Sequence, residues 1–205
     1  MTKEIEELTP QQLKYFKKFS EVALTEGALS SKEKAIIAVA VATALTCTNC
    51  LDGHTKQAKM SGASLQQLLE AVFVVAAVEA GGAVTHSTNM HNAIDDEVDD
   101  VLYKKSNLEK LPLLNNHAGS AFKGYIGFSK FAMKEGALSI KMKETIAVAI
   151  AHATLCPYCI DVHTRNAIKE GATIEELSEA VLVAAAIMAG NAFNRTEQII
   201  TSFHA

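Results

Sequence analysis

Residues 27–86 and 136–195 are two copies of one sequence. They align without gaps at an offset of 109, and 30 of the 60 positions are identical. Gly27-Ala28-Leu29-Ser30 recurs as Gly136-Ala137-Leu138-Ser139, and Gly62-Ala63 as Gly171-Ala172. Phe19-Ser20 and Phe128-Ser129 extend the likeness weakly upstream. Two copies of about 85 residues are too few for a solenoid, so the chain reads as one helical module made twice. Modules this rich in Ala, Val and Ile are expected to pack on each other rather than leave apolar faces in water. The division expected is residues 1–95 for repeat 1, 96–120 for an acidic connector and 121–205 for repeat 2.

Each copy parses into the same helices. An amphipathic segment, about Gln11–Thr25 or Ala121–Lys134, stops at Glu-Gly. A long Ala/Val/Ile helix follows, about Ser31–Thr46 or Ile140–Leu155. A cysteine-bearing helix ends at Gly62 or Gly171. Ser64–Ala80 and Thr173–Ala189 start with the capping patterns Ser64-x-x-Gln67 and Thr173-x-x-Glu176. A last helix is expected near Val84–Ala93 and near Phe193–Ser202. No alternating strand pattern occurs, so the fold class is all-α. Leu111-Pro112 and Asn115-Asn116 read as connector, and Asp95–Asp100 as a solvated charge run.

Bulk properties narrow the function. Hydrophobic content of 49% and charged content of 20% describe an ordered globular chain. A net charge of −4 provides no basic footprint for nucleic acid. The runs Ala35–Leu45, Ala71–Val78 and Ala180–Gly190 are about half a membrane span, and are expected to be buried helices. Met1–Pro10 is acidic and lacks the apolar core of a secretory signal, so a cytoplasmic location is expected. In that reducing setting CxxC pairs are more often catalytic or metal-binding than structural.

All four cysteines fall in two matched octets, Cys47-Thr48-Asn49-Cys50-Leu51-Asp52-Gly53-His54 and Cys156-Pro157-Tyr158-Cys159-Ile160-Asp161-Val162-His163. Pro157 suits the first helical position, which makes Cys156 the N-cap and places Cys159 in the first turn. A helix N-terminus stabilises a thiolate. His163 lies four residues after Cys159 on the same face, where an imidazole can take the thiol proton. Cys156 can then close a disulfide on an oxidised Cys159. Glu144, in an otherwise apolar helix, is a candidate partner for the proton transfer. Its match in copy one is Ala35, and nearby Glu33 is assigned to the capping box Ser30-x-x-Glu33.

The set Glu144, Cys156, Cys159 and His163 resembles the active-site signature of the alkylhydroperoxidase AhpD family, within the carboxymuconolactone decarboxylase superfamily. The resemblance covers nearly the whole chain. It implies an AhpD-like helical fold of two tandem repeats, assembled as a homo-oligomer, here a trimer of tandem chains. It also implies a thiol-dependent peroxidase that needs no cofactor beyond an external dithiol reductant protein, with a small hydroperoxide as substrate. Cys159 would be the peroxidatic thiol, Cys156 the resolving one, and Glu144 with His163 a proton relay. The family often has His between the cysteines, where this chain has Tyr158 and Asn49. Copy one keeps Cys47, Cys50 and His54 as a possible second site but lacks the Glu.

Other readings remain open at this stage. The chain could be a non-enzymatic assembly or stress-associated binding protein that kept the fold, or a decarboxylase-like member. Cys-x-x-Cys-x-x-x-His could supply zinc ligands, although such ligands usually come from separate elements. Asp52 and Asp161 are expected to serve the helix dipole. His152 is expected to be a satisfied structural histidine. His86 and His91, without a match in copy two, sit on a segment that could close over the neighbouring site.

Overall fold

A computed structural model of the chain describes residues 3–94 and 103–205, the side chains of 89–94 excepted. The acidic run Asp95–Asp100 and the His91 side chain lie outside the described residues. The order is α1 (Lys3–Leu8), α2 (Pro10–Leu24), α3 (Ser31–Ala44), α4 (Thr48–Met60) and α5 (Leu65–Ile94). A 3-10 turn (Lys105–Lys110) leads to α6 (Leu111–Ala132), α7 (Ile140–Ala153), α8 (Pro157–Lys169), α9 (Ile174–Phe193) and α10 (Thr196–Phe203). Among the described residues there is no strand, and the fold is all-α.

Two boundaries differ from expectation. Residues 105–120 are not a loose connector: α6 starts at Leu111 because Pro112 occupies its first turn, where no N–H is needed. A break at Ala118 (φ −139°, ψ 45°) separates that turn from the segment expected to be helical. In repeat 1 the last two helices are one, α5. Gly81-Gly82 does not stop it, and the Thr85 hydroxyl bonds back to the Gly81 carbonyl at 2.9 Å. In repeat 2 the chain does break, at Asn194. The expectation of half-length apolar runs is corrected accordingly. Leu65–Thr88 and Ile174–Phe203 are long and apolar enough, by length and composition, to cross a membrane. Within the fold these segments carry core residues, with Ala71, Val74, Ala180 and Val183 fully buried.

The centre is α3 beside α7. Every residue from Lys34 to Ala42, and from Met142 to Ala151, is buried. A helix apolar on all sides must be surrounded. Here α3 packs on α7 and α9, and α5 on α7 and α8, so each repeat completes the core of the other. Truncating Ile37, Ile146 or Ile150, each fully buried, would cost about 2–5 kcal/mol.

Two matched carboxylates fasten the repeats. Glu179 on α9 accepts from the Ala28 and Leu29 amides of repeat 1, at 2.9 and 2.8 Å. It also pairs with Lys34 at 3.1 Å. Glu70 on α5 accepts from the Ala137 and Leu138 amides of repeat 2, at 2.6 and 2.9 Å. Its lysine is Lys143, at 3.1 Å. The buried lysines also donate to carbonyls, Lys34 to Thr25 and Lys143 to Lys134, both at 2.6 Å. A Cβ at Gly27 or Gly136 would collide with the docked carboxylate, which would have to shift.

Burial alone would raise the Glu70 carboxyl, but the two amides and Lys143 outweigh it and hold it at about 2. Glu179 is lowered in the same way, by Leu29, Ala28 and Lys34 against burial. The folded value of Glu70 lies below its ordinary 4.5, so its contribution is complete above pH 4.5 and is lost as the pH falls toward 2. That difference corresponds to roughly 3 kcal/mol. Glu70→Gln leaves Lys143 buried without its counter-charge, and should cost on the order of 3 kcal/mol at neutral pH. Urea unfolding should show the gap to wild type narrowing between about pH 5 and pH 3. A constant gap would mean that Glu70 is not the titrating group.

Candidate functional site

Each cysteine pair sits where one helix turns into the next. Thr46 and Leu155 take left-handed backbone (φ 51° and 54°). This lets the Cys47 amide reach Ala42 O at 3.1 Å and the Cys156 amide reach Ala151 O at 3.0 Å. The pattern is a Schellman closure of α3 and of α7. A left-handed Thr or Leu costs energy, and such residues cluster at functional sites. The same cysteine then caps the next helix: Cys47 Sγ accepts from the Cys50 amide, and Cys156 Sγ from the Cys159 amide, both at 3.3 Å. Pro157 follows in the first turn of α8, as expected. Cys47 is disulfide-bonded to Cys50 and Cys156 to Cys159, with Cα separations of 5.2 and 5.3 Å.

At the second pair the structure brings Glu144 and His163 together. Glu144 is 6% exposed on α7. Its Oε2 accepts from His163 Nδ1 at 2.7 Å, and its Oε1 from Asn166 Nδ2 at 3.2 Å. The carboxylate therefore fixes the tautomer, leaving Nε2 of His163 as the basic nitrogen. Tyr158, inside the second cysteine motif, belongs to an aromatic cluster with His86 and Tyr103. Tyr158 is buried and accepts from Asn107 Nδ2 at 2.8 Å. Its ring meets His86 edge-on at 5.4 Å and Tyr103 at 5.8 Å. Helix α5 of repeat 1 lies beside this motif, since a Cβ on Gly82 would lie 4.0 Å from Cys156 Sγ.

The first pair is built differently. Ala35 stands in the place of Glu144 and lines a cavity of about 450 Å3 that is also bordered by His54, Gln57 and Glu21. Burial lowers the His54 imidazole below its usual value. A second cavity of about 380 Å3 opens onto Cys50 and His54. Asn194, at the end of α9, crosses from repeat 2 and donates Nδ2 to Cys50 Sγ at 3.2 Å and to Cys47 Sγ at 3.5 Å. Each repeat thus reaches the other repeat's cysteines, repeat 1 through Gly82 within α5 and repeat 2 through Asn194 just after α9.

The remaining candidates have structural partners. Glu33 and Ser30 form the expected capping box. Asp52 pairs with Lys56 at 2.7 Å and Asp161 with Arg165 at 2.8 Å, both one turn apart on the surface. His152 Nδ1 bonds its own helix at Val148 O, 2.8 Å away. Among the described residues no group of three or more His, Cys, Asp or Glu is arranged to hold a metal ion. Sequence reasoning missed Asn166, which lies three residues after His163 on the same helix face. It also missed Asn107 and Asn194, whose sulfur and hydroxyl partners are distant in sequence.

The Carboxymuconolactone decarboxylase family pattern matches residues 10–90 and 120–201. The chain belongs to that family, carrying its unit twice. Among curated proteins it is 46% identical over 69 residues to "Uncharacterized protein 4 in cox locus" of Paracoccus denitrificans, covering 34% of this chain and 62% of that protein. It is 36% identical over 64 residues to an uncharacterised protein of Cupriavidus necator, covering 31% of this chain and 57% of that one. The chain thus spans less than two thirds of the length of these relatives. Among solved structures it resembles a candidate gamma-carboxymuconolactone decarboxylase subunit from Burkholderia xenovorans LB400. The TM-score is 0.76 at 21% identity, over 99% of this chain and 91% of that one, a likeness of fold.

Supplying the missing carboxylate tests the comparison between the two sites. In Ala35→Glu, His54 should acquire the partner His163 has, and its pKa should rise by about 1 or more as an opposite charge replaces solvent-poor surroundings. Proton-nitrogen NMR of the imidazole reads this directly. An unchanged His54 would mean that the two sites do not superpose.

Proposed function

We propose that the protein is a thiol-dependent peroxidase and disulfide oxidoreductase of the AhpD type, working through Cys159 and Cys156. The observation that supports this most is the buried Glu144 bonded to His163, one helical turn from Cys159. A carboxylate taken out of water in an apolar helix is costly, and here its two oxygens are used to orient an imidazole and a neighbouring amide. With the pair reduced, His163 takes the Cys159 proton, and the helix N-terminus favours the thiolate. The thiolate attacks the terminal peroxide oxygen. An S–O bond forms, the O–O bond breaks, and the departing alkoxide takes the proton from His163. Cys156 then attacks the sulfenic sulfur, water leaves, and the disulfide closes. An external dithiol protein, in a reducing cytoplasm, returns two electrons and two protons.

Self-association belongs to the same reading. Leu65, Leu69 and Phe73 form an exposed apolar stripe along α5, matched by Ile174 and Leu182 on α9. Two related stripes on one chain suit a closed ring of chains, and a trimer of tandem chains is the proposed form.

One observation favours a second reading, a binding or assembly protein that kept the fold without turnover: Cys159 is only 4% exposed. Consumption of tert-butyl hydroperoxide with excess dithiol separates the two. Cys159→Ser should abolish turnover, and Glu144→Gln should lower it by about 100-fold or more, in line with a lost proton relay. Cys50→Ser should leave turnover of this small peroxide near wild type. No turnover by the intact, reduced protein would refute the peroxidase reading in favour of the second one.

A further inference from the structure

We propose that the first repeat's cysteine site takes hydroperoxides that carry a long apolar chain, and that the chain lodges in a separate cavity between α1, α2, α9 and α10. The inference rests on the peroxidase reading above and assigns a substrate class to Cys50.

The cavity holds about 680 Å3, within the range of small-molecule sites. Ile5, Leu13, Phe16, Phe193, Ile200 and Phe203 make up much of its wall. Glu4 and His204, 2.7 Å apart, tie α1 to α10 along its edge. It adjoins the cavity that opens onto Cys50, because Phe16 lines both. Phe193 stacks on Phe16 with ring centroids 4.7 Å apart. The next residue, Asn194, touches both sulfurs. Ala189 faces the apolar chamber, and Gly190 lines the cysteine cavity. The stacked rings therefore stand between a place for an apolar tail and a place for a reacting head. Walls on four helices suit a narrow flexible chain better than the convex face of a second protein.

The tail also answers the missing carboxylate. Binding energy from a part of the substrate remote from the chemistry can hold the reacting end in place, so a site without the Glu can still turn over a substrate that brings its own anchor. His54, four residues after Cys50, takes the thiol proton, and Asn194 donates to the sulfur. The Cys50 thiolate attacks the terminal oxygen, the S–O bond forms as the O–O bond breaks, and His54 protonates the alkoxide. Cys47 closes the disulfide with loss of water, and the external dithiol resets it.

The test uses the full chain and two readouts. Titration with the fluorescent fatty acid cis-parinaric acid should saturate. Competing saturated fatty acids should tighten by about fourfold per added methylene until the chamber is full. Ala192→Trp, a substitution in the exposed wall, should weaken binding at least tenfold. In Cys159→Ser, linoleic acid hydroperoxide should still be consumed with dithiothreitol while tert-butyl hydroperoxide is not, and adding Ala192→Trp should raise KM for the long substrate. Absence of fatty-acid binding, or binding indifferent to Ala192→Trp, would overturn the proposal. Dissociation of an oligomer by the probe would also overturn it, by assigning the cavity to a second copy. If the parent protein consumes no hydroperoxide at all, the peroxidase reading falls, and the binding titration alone then judges the cavity.

Discussion

The reciprocal pairing of Glu70 and Glu179 with the opposite repeat is the constraint on which the rest depends. Each carboxylate reads two backbone amides and one buried lysine across the boundary between repeats. The amides belong to the turn just before α3 or α7, the two helices at the centre of the core. Fixing those turns fixes where α3 and α7 begin, and therefore where each ends in a left-handed residue and a capping cysteine. The geometry of both cysteine pairs is thus set partly from the other half of the molecule. The Glu70 clamp alone, at roughly 3 kcal/mol, is a sizeable share of the marginal stability of a domain this size.

Duplication left two sites with one frame and different contents. The second has the buried carboxylate, the oriented imidazole and an aromatic cluster of Tyr158, His86 and Tyr103. The first has lost the carboxylate to Ala35, kept a histidine held low by burial, and gained a sulfur donor in Asn194 with cavities beside it. Apart from the Ala35 exchange, the elements that reach the two sites differ through one backbone event. Helix α5 runs on past Gly81-Gly82 and carries His86 to Tyr158 of the second motif, whereas α9 stops at Phe193 and turns Asn194 onto the first.

Much of this was legible in the chain. The 109-residue offset gave the tandem all-α architecture, and the Pro157 position gave the cap. Glu144 and His163, both singled out in the chain, meet in the fold. The clamps had a signal, since Glu70, Lys34 and Gly27 are each repeated at the same offset, but nothing local says that a surface Glu will cross to the other copy. Asn194 had none: its match is Thr85, and its partners are more than 140 residues away. The fused α5 was hidden because a Gly-Gly pair reads as a stop when its helix is judged without the packing that holds it. The helical start of α6 was hidden because Leu-Pro and Asn-Asn read as turn chemistry, although the first two turns of a helix can hold both.

The claim most directly at stake is that Cys159, once reduced, is an activated thiol and not an inert core residue. The pH dependence of its alkylation by iodoacetamide, followed by peptide mass spectrometry on the reduced protein, measures this. The account predicts ionisation below the ordinary thiol value of about 8.5, moving upward in Glu144→Gln as His163 loses its partner. A Cys159 that reacts only above that value, or whose profile ignores Glu144, would contradict it.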